Sequence, residues 1–219
     1  MPRMFFAFAL ALLMVIPLHS QVLDPPEGEE VNVFDSKGMK QGVWVIETNG
    51  RVERGTFKDS QRDGIWLSYH AEGFVNHLHT YRKDKLDGLH LEIDRRGMIA
   101  QEEYFKQDVL HGRARTFTYG GRVASDIMYL MGQYHGMVRK YYDHNGRIQE
   151  EADYVRGEKD GPTKWYSPEG YIVAEYLYKQ GQMDGAQKTF HPNGQVMTEQ
   201  NYKKNMAEGD FREYFVDGK

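Results

Sequence analysis

The segment GIWLSYHAEGFVNHLHTYRKDKLDG, residues 64–88, opens and closes on glycine, and its outline recurs along most of the chain. Matching glycines stand at Gly42, Gly64, Gly88, Gly112, Gly136, Gly161, Gly185 and Gly209, at steps of 22, 24, 24, 24, 25, 24 and 24 residues. A second glycine follows eight to ten residues after each, as Gly73 follows Gly64. Two positions later the full units carry a β-branched residue, here Val75, and then an aromatic, here Tyr81, seven residues before the next first glycine. Four landmarks that keep step in this way define a tandem repeat of about 24 residues.

Each half of the unit has the length of one strand, and both junctions hold residues that accept positive φ. One junction carries pairs such as Glu72-Gly73, Asn145-Gly146 and Asn193-Gly194. The other carries Ser60, Asp84, Asp108, Gly132, Gly157, Gly181 or Asn205, three residues after the aromatic. The unit therefore reads as strand, turn, strand, turn. Connections this short permit only antiparallel pairing of successive strands. The expected fold is all-β: an elongated, twisted antiparallel meander of about 16 strands, which at ~4.8 Å per strand is roughly 75 Å long. Stability should sum over neighbouring repeats, so losing one interior repeat should be tolerated better than breaking one turn.

The pattern Gly64-Ile65-Trp66-Leu67-Ser68-Tyr69, followed by Gly-x-Val and by the Tyr178 to Gly185 segment, resembles the MORN-repeat-variant family. The opening Phe34-Asp35-Ser36-Lys37-Gly38 and Gln41-Gly42-Val43-Trp44 resembles the start of such arrays. The resemblance runs from about Val31 to Gly218. It implies a β-hairpin repeat fold and a contact module for proteins or lipids, with antitoxin-like YwqK-type proteins among its members. The tryptophan position departs from the pattern, becoming His90, Ala114, Val138, Thr163, Gln187 or Phe211 in other units.

The chain ahead of the array has its own logic. Arg3, the apolar run Phe5 to Pro17 and Leu18-His19-Ser20 before Gln21 form a signal-peptide pattern over residues 1–20. The thirteen-residue run is short of the roughly 20 residues that cross a bilayer. Export to the periplasm or outside the cell is expected, with residues 21–32 as an acidic tether. Zero cysteines exclude a disulfide framework. A net charge of −4 offers no excess of basic groups for phosphates, so nucleic acid is not an expected partner.

No nucleophile elbow, phosphate loop, His-Glu-x-x-His motif or dinucleotide fingerprint occurs in the sequence. The expectation is a non-enzymatic protein-binding or scaffold module without cofactor. A toxin's immunity-like partner and a binder of envelope polysaccharide or lipid are the alternatives, and the last strand offers an edge for self-association. The aromatic row Phe57, Tyr81, Phe105, Tyr129, Tyr154, Tyr178 and Tyr202 is needed in every unit and so reads as packing. Function is sought where units differ: Trp66, His77, His79, His90, Trp165, Phe211 and Tyr214. A turn centred between Asp84 and Lys85 would set His79 opposite His90 and His77 opposite Glu92. Those groups suit zinc, but no metal is assigned on an inferred register. The row Asp63, Asp87, His111, His135, Asp160, Asp184 and Glu208 is read as turn residues.

Overall fold

The computed structural model describes residues 28–217. The segment expected to be a signal peptide, most of the expected tether and Gly218 lie outside the described residues. The described residues form one sheet of 17 strands in meander order. They are β1 (Val33–Phe34), β2 (Lys40–Thr48), β3 (Arg51–Lys58), β4 (Gln61–Arg62), β5 (Gly64–Tyr69) and β6 (Val75–Arg82). Next come β7 (Lys85–Ile93), β8 (Ile99–Lys106), β9 (Val109–Phe117), β10 (Val123–Leu130), β11 (Gln133–Tyr141) and β12 (Ile148–Val155). The last five are β13 (Glu158–Tyr166), β14 (Ile172–Lys179), β15 (Gln182–Phe190), β16 (Val196–Lys203) and β17 (Met206–Glu213). Both β4 and β5 pair with β3 and together take the place of one strand, interrupted at Asp63.

The two turn types differ in construction. Between Arg82 and Lys85, Lys83 and Asp84 both have positive φ, 52° and 65°. Two such residues make the type I′ turn whose twist suits a tight hairpin. Asp59-Ser60, Gln107-Asp108, Met131-Gly132, Arg156-Gly157, Gln180-Gly181 and Lys204-Asn205 repeat it. At the other end of the hairpin the His70 N–H donates to the Phe74 carbonyl, and the Gly73 N–H donates to the His70 carbonyl. Gly73, at φ 87°, supplies the left-handed residue that closes this longer loop.

The first glycine of each unit lies inside a strand rather than at a turn. Between the pairs His79–His90 and Tyr81–Leu86, Thr80 faces the three residues Asp87, Gly88 and Leu89. Such an excess bends the strand, and Gly88 meets it with a φ of 130°. A Cβ on Gly88 would also stand 3.0 Å from the Thr80 Cβ. Asp87, His111, His135, Asp160, Asp184 and Glu208, expected in turns, are likewise strand residues next to these bulges. The bulge compensates for a turn that sits one residue earlier than expected, so His79 does pair with His90 and His77 with Glu92.

The sheet carries no second layer among the described residues, and its hydrophobic cluster is local. On one face, called the first, Phe34, Trp44, Phe57 and Trp66 stack edge to face with ring centroids 5.0, 5.6 and 5.0 Å apart. Trp44, Phe57 and Trp66 are all buried. Lys40 Nζ lies 4.6 Å from the Trp44 ring centre, and the Arg62 guanidinium 4.7 Å from that of Trp66, roofing the stack with cations. Trp66 fits because Gly55 lies beneath it: a Cβ there would come within 2.2 Å of the indole. The end of the acidic segment joins this region, with Glu29 ion-paired to Arg54 and the Asn32 N–H donating to the Val43 carbonyl.

Met131 is 67% exposed and holds φ 51° ahead of Gly132, a conformation that a long side chain adopts at a cost of roughly 1–2 kcal/mol. Met131→Asn should recover about 0.5–1 kcal/mol by installing the Asn-Gly pair that a type I′ turn prefers. Thermal unfolding of the variant checks this, and a lowered melting temperature would contradict the turn assignment.

Candidate functional site

Register places the units' variable positions in one line across the first face. Trp66 pairs with His79, His79 with His90, His90 with Glu103 and Glu103 with Ala114. The line continues through Ile127, Val138, Ala152, Thr163, Tyr176, Gln187 and Gln200. It includes the departures from tryptophan at His90, Ala114, Val138, Thr163 and Gln187. It is also the most protected part of the sheet, with Ala152 at 1% and Thr163 at 0% exposure. Small side chains here are covered by longer ones in the flanking rows. One flanking row holds the late aromatics, and the rings of Tyr129, Tyr134 and Tyr154 follow one another at 5.1 and 5.3 Å, edge to face. Their packing against neighbouring strands accounts for the aromatic row.

The histidines expected together are together. His79 and His90 approach with their Nδ1 atoms 2.9 Å apart, so one ring donates and the other accepts. His77 stacks on His79 at 5.5 Å and lies 6.0 Å from His90. Burial, reinforced by His90, His77 and Arg62, pulls the pKa of His79 down to about 4, and burial also lowers that of His90. Among the described residues no group of three or more His, Asp or Glu is arranged to hold a metal ion. His79 and His90 form a hydrogen-bonded pair whose burial favours the neutral form, and His77 packs beside them.

The remaining candidates separate. Trp66 is 2% exposed and donates its indole N–H to the Thr56 carbonyl, so it is committed to the sheet. Trp165 meets Tyr176 edge to face at 5.0 Å and lines an open cavity of about 400 Å³ with it. Phe211 is 61% exposed at the border of a second cavity of about 250 Å³, lined also by Tyr176, Gln187, Gln200 and Tyr202. Tyr214 follows β17, and its carbonyl lies 2.9 Å from His191 Nε2.

Gln187 was visible only as a departure from tryptophan, and Gln200 and Tyr176 not at all, because neither glutamine nor tyrosine stands out in sequence and only the register gathers them. The opposite face holds a second feature hidden in the same way. From β8 to β17 its central line pairs Glu102, Arg115, Asp126, Arg139, Glu151, Lys164, Glu175, Lys188, Glu199 and Arg212 in order, acid against base throughout. Ion pairs close between Arg139 and Glu151 at 3.3 Å, and between Lys164 and Glu175 at 3.5 Å. Nearer the amino terminus the same line holds Leu67, Leu78 and Leu91.

Residues 136–156 and 183–204 match the family model described as MORN repeat variant. These two MORN-variant segments fall in β11–β12 and β15–β16, each a strand, a loop and a strand of the array. No curated protein matches the chain. Among solved structures it is similar to a mutant of S. aureus TarM in complex with Fondaparinux, alpha-GlcNAc-glycerol and UDP, at 12% identity and a TM-score of 0.27. That similarity covers 54% of this chain and spans 21% of the other.

His79 makes the stability of the sheet depend on pH. Since the folded chain holds His79 neutral down to about pH 4, the unfolded chain binds more protons below pH 6.5. Stability should therefore fall as pH is lowered through that window. His79→Gln should flatten the fall in melting temperature between pH 7 and 4.5, and parallel pH profiles for parent and variant would contradict the assignment.

Proposed function

We propose that the chain is a non-enzymatic binding module that acts outside the cytoplasm and takes another protein as its partner. The observation that carries this reading is the group of large apolar side chains displayed on and just beyond β17. Met206 is 68% exposed, Phe211 61%, Phe215 78% and Val216 60%. Every residue of β17 is exposed, whereas interior strands such as β13 and β14 are mostly half-buried. Apolar groups gathered in this way mark contact surfaces, and the backbone of an outer strand can pair with an added strand. The MORN-variant match supports the same reading, because repeats of this kind serve as contact modules.

The amino-terminal apolar run and its polar flank support placement beyond the cytoplasmic membrane. The strongest electrostatic features support a binding role over a catalytic one, since the ion pairs and the histidine trio are satisfied within the sheet itself.

A photo-crosslinking residue placed at Phe215 should trap one defined protein in the native host, and Met206→Ser with Val216→Ser should abolish that adduct. Failure to trap any specific adduct at Phe215, with capture elsewhere on the surface, would overturn the proposal.

A further inference from the structure

The chain is 27% charged, and its surface cavities mostly show it. One near the amino terminus is lined by Arg51, Glu53 and Arg62, and one at the turn edge by Arg156, Glu158 and Asp160. Two adjoining cavities at the carboxy-terminal part of the sheet have no charged lining residue, and they share Tyr176. The first holds Trp165, Tyr142 and Gln149 beside it, and the second holds Gln187, Thr189, Thr198, Gln200, Tyr202 and Phe211.

The polar groups of the second cavity are aimed by the backbone. Gln187 donates both amide hydrogens inward, to the Leu177 carbonyl at 3.0 Å and the Gly185 carbonyl at 3.1 Å. Its carboxamide oxygen is left buried without a partner. Gln200 is fixed in the same manner, its amide nitrogen donating to the carbonyls of Asn201 and Glu208. Gln187 is 6% exposed, and an unpaired buried acceptor costs roughly 1–3 kcal/mol unless something donates to it. Thr189 and Thr198, hydrogen-bonded to each other, supply hydroxyls one row away. The second cavity thus gathers amides, hydroxyls and aromatic rings, and no charged residue lines it.

We infer that this uncharged stretch of the first face binds a neutral oligosaccharide. A sugar ring offers what the surface lacks: hydroxyl donors for the Gln187 and Gln200 oxygens, and patches of C–H for the faces of Tyr176, Tyr202 and Phe211. The absence of charged lining residues selects against uronic acids and phosphorylated glycans, which would lose water without gaining a counter-charge. A volume of about 250 Å³, small beside sites that enclose drug-sized ligands, suits one ring at a time. The neighbouring cavity of about 400 Å³ continues the path past Trp165 and offers room for the next ring along a chain.

The test titrates the intact chain with neutral pentasaccharides of glucose, mannose and N-acetylglucosamine, and in parallel with an oligogalacturonate and an uncharged Gly-Ser-Thr peptide. Calorimetry and tryptophan fluorescence report binding. At least one neutral saccharide should saturate the site. Phe211→Ala and Gln187→Leu should each weaken it about tenfold or more, the loss expected when a stacking face or a buried acceptor is removed. Ile65→Ala, an exposed change at the far end of the sheet, should leave it unaltered. Phe211 is exposed, so its variant keeps the test decisive even if Gln187→Leu perturbs folding. Binding of no neutral saccharide, equal binding by parent and Phe211→Ala, or tighter binding of the oligogalacturonate or the peptide would each overturn the inference. The protein contact is read at Phe215, outside this cavity, so either proposal can fail alone.

Discussion

A sheet of one layer has no opposing surface on which to bury its side chains, so each strand must find its stability in the two strands beside it. That constraint organises everything else in this chain. The side chains line up in rows that cross the strands, and each row solves the packing problem with one kind of chemistry. On the first face a central line of mostly small or tightly fitted residues is roofed by aromatic rows, which is how Ala152 and Thr163 become buried with nothing stacked above them. On the second face leucines give way to a line in which acid and base alternate from Glu102 to Arg212. A single exposed ion pair contributes little, ~0.2–1 kcal/mol. Here, however, each interior charge has an opposite charge on both sides. A strand displaced to the next rung along the sheet would bring like charges together, so the line specifies order as well as adding stability.

The repeat, the strand count and the meander were legible because they depend on landmarks that every unit must keep. Asp84 and its equivalents were visible as turn formers, whereas Lys83, Gln107 and Met131, which share the same turns, were not: nothing in a long side chain announces a positive φ. The glycines at the start of each unit were visible as landmarks, but the residues just before most of them, Asp87 to Glu208, were read as turn residues and lie in strands. From Gly88 onward the glycines answer to a bulge inside the strand, and a bulge leaves no mark in sequence beyond the glycine itself. The pairing of His79 with His90 came out correctly because the early turn and the bulge offset each other. The charge line escaped notice for a related reason. Its members are separated by 13 and 11 residues in alternation, with one step of 12, and they form a row only once turns and bulges have set the register.

The same register explains where specificity resides. The aromatics required in every unit build the sheet, while the position opposite them in the central line is free to vary as long as its neighbours cover it. Along the line the chemistry passes from tryptophan, through a histidine pair and a glutamate, to aliphatic residues, and finally to a threonine, a tyrosine and two amides. An array of near-identical units thereby acquires distinct regions without changing its backbone. The uncharged carboxy-terminal stretch is one such region, and the exposed apolar group on β17 is another.

If each strand is held by its immediate neighbours, reversing one charge in the middle of the line should loosen only the strands beside it, as amide hydrogen exchange followed strand by strand will show. Glu151→Lys would set a lysine between Arg139 and Lys164. Faster exchange is expected in β11, β12 and β13, fading within the adjoining strands, with β2 to β6 unchanged. Acceleration spread evenly over the whole sheet would show that the array opens as one unit and would contradict that local hold.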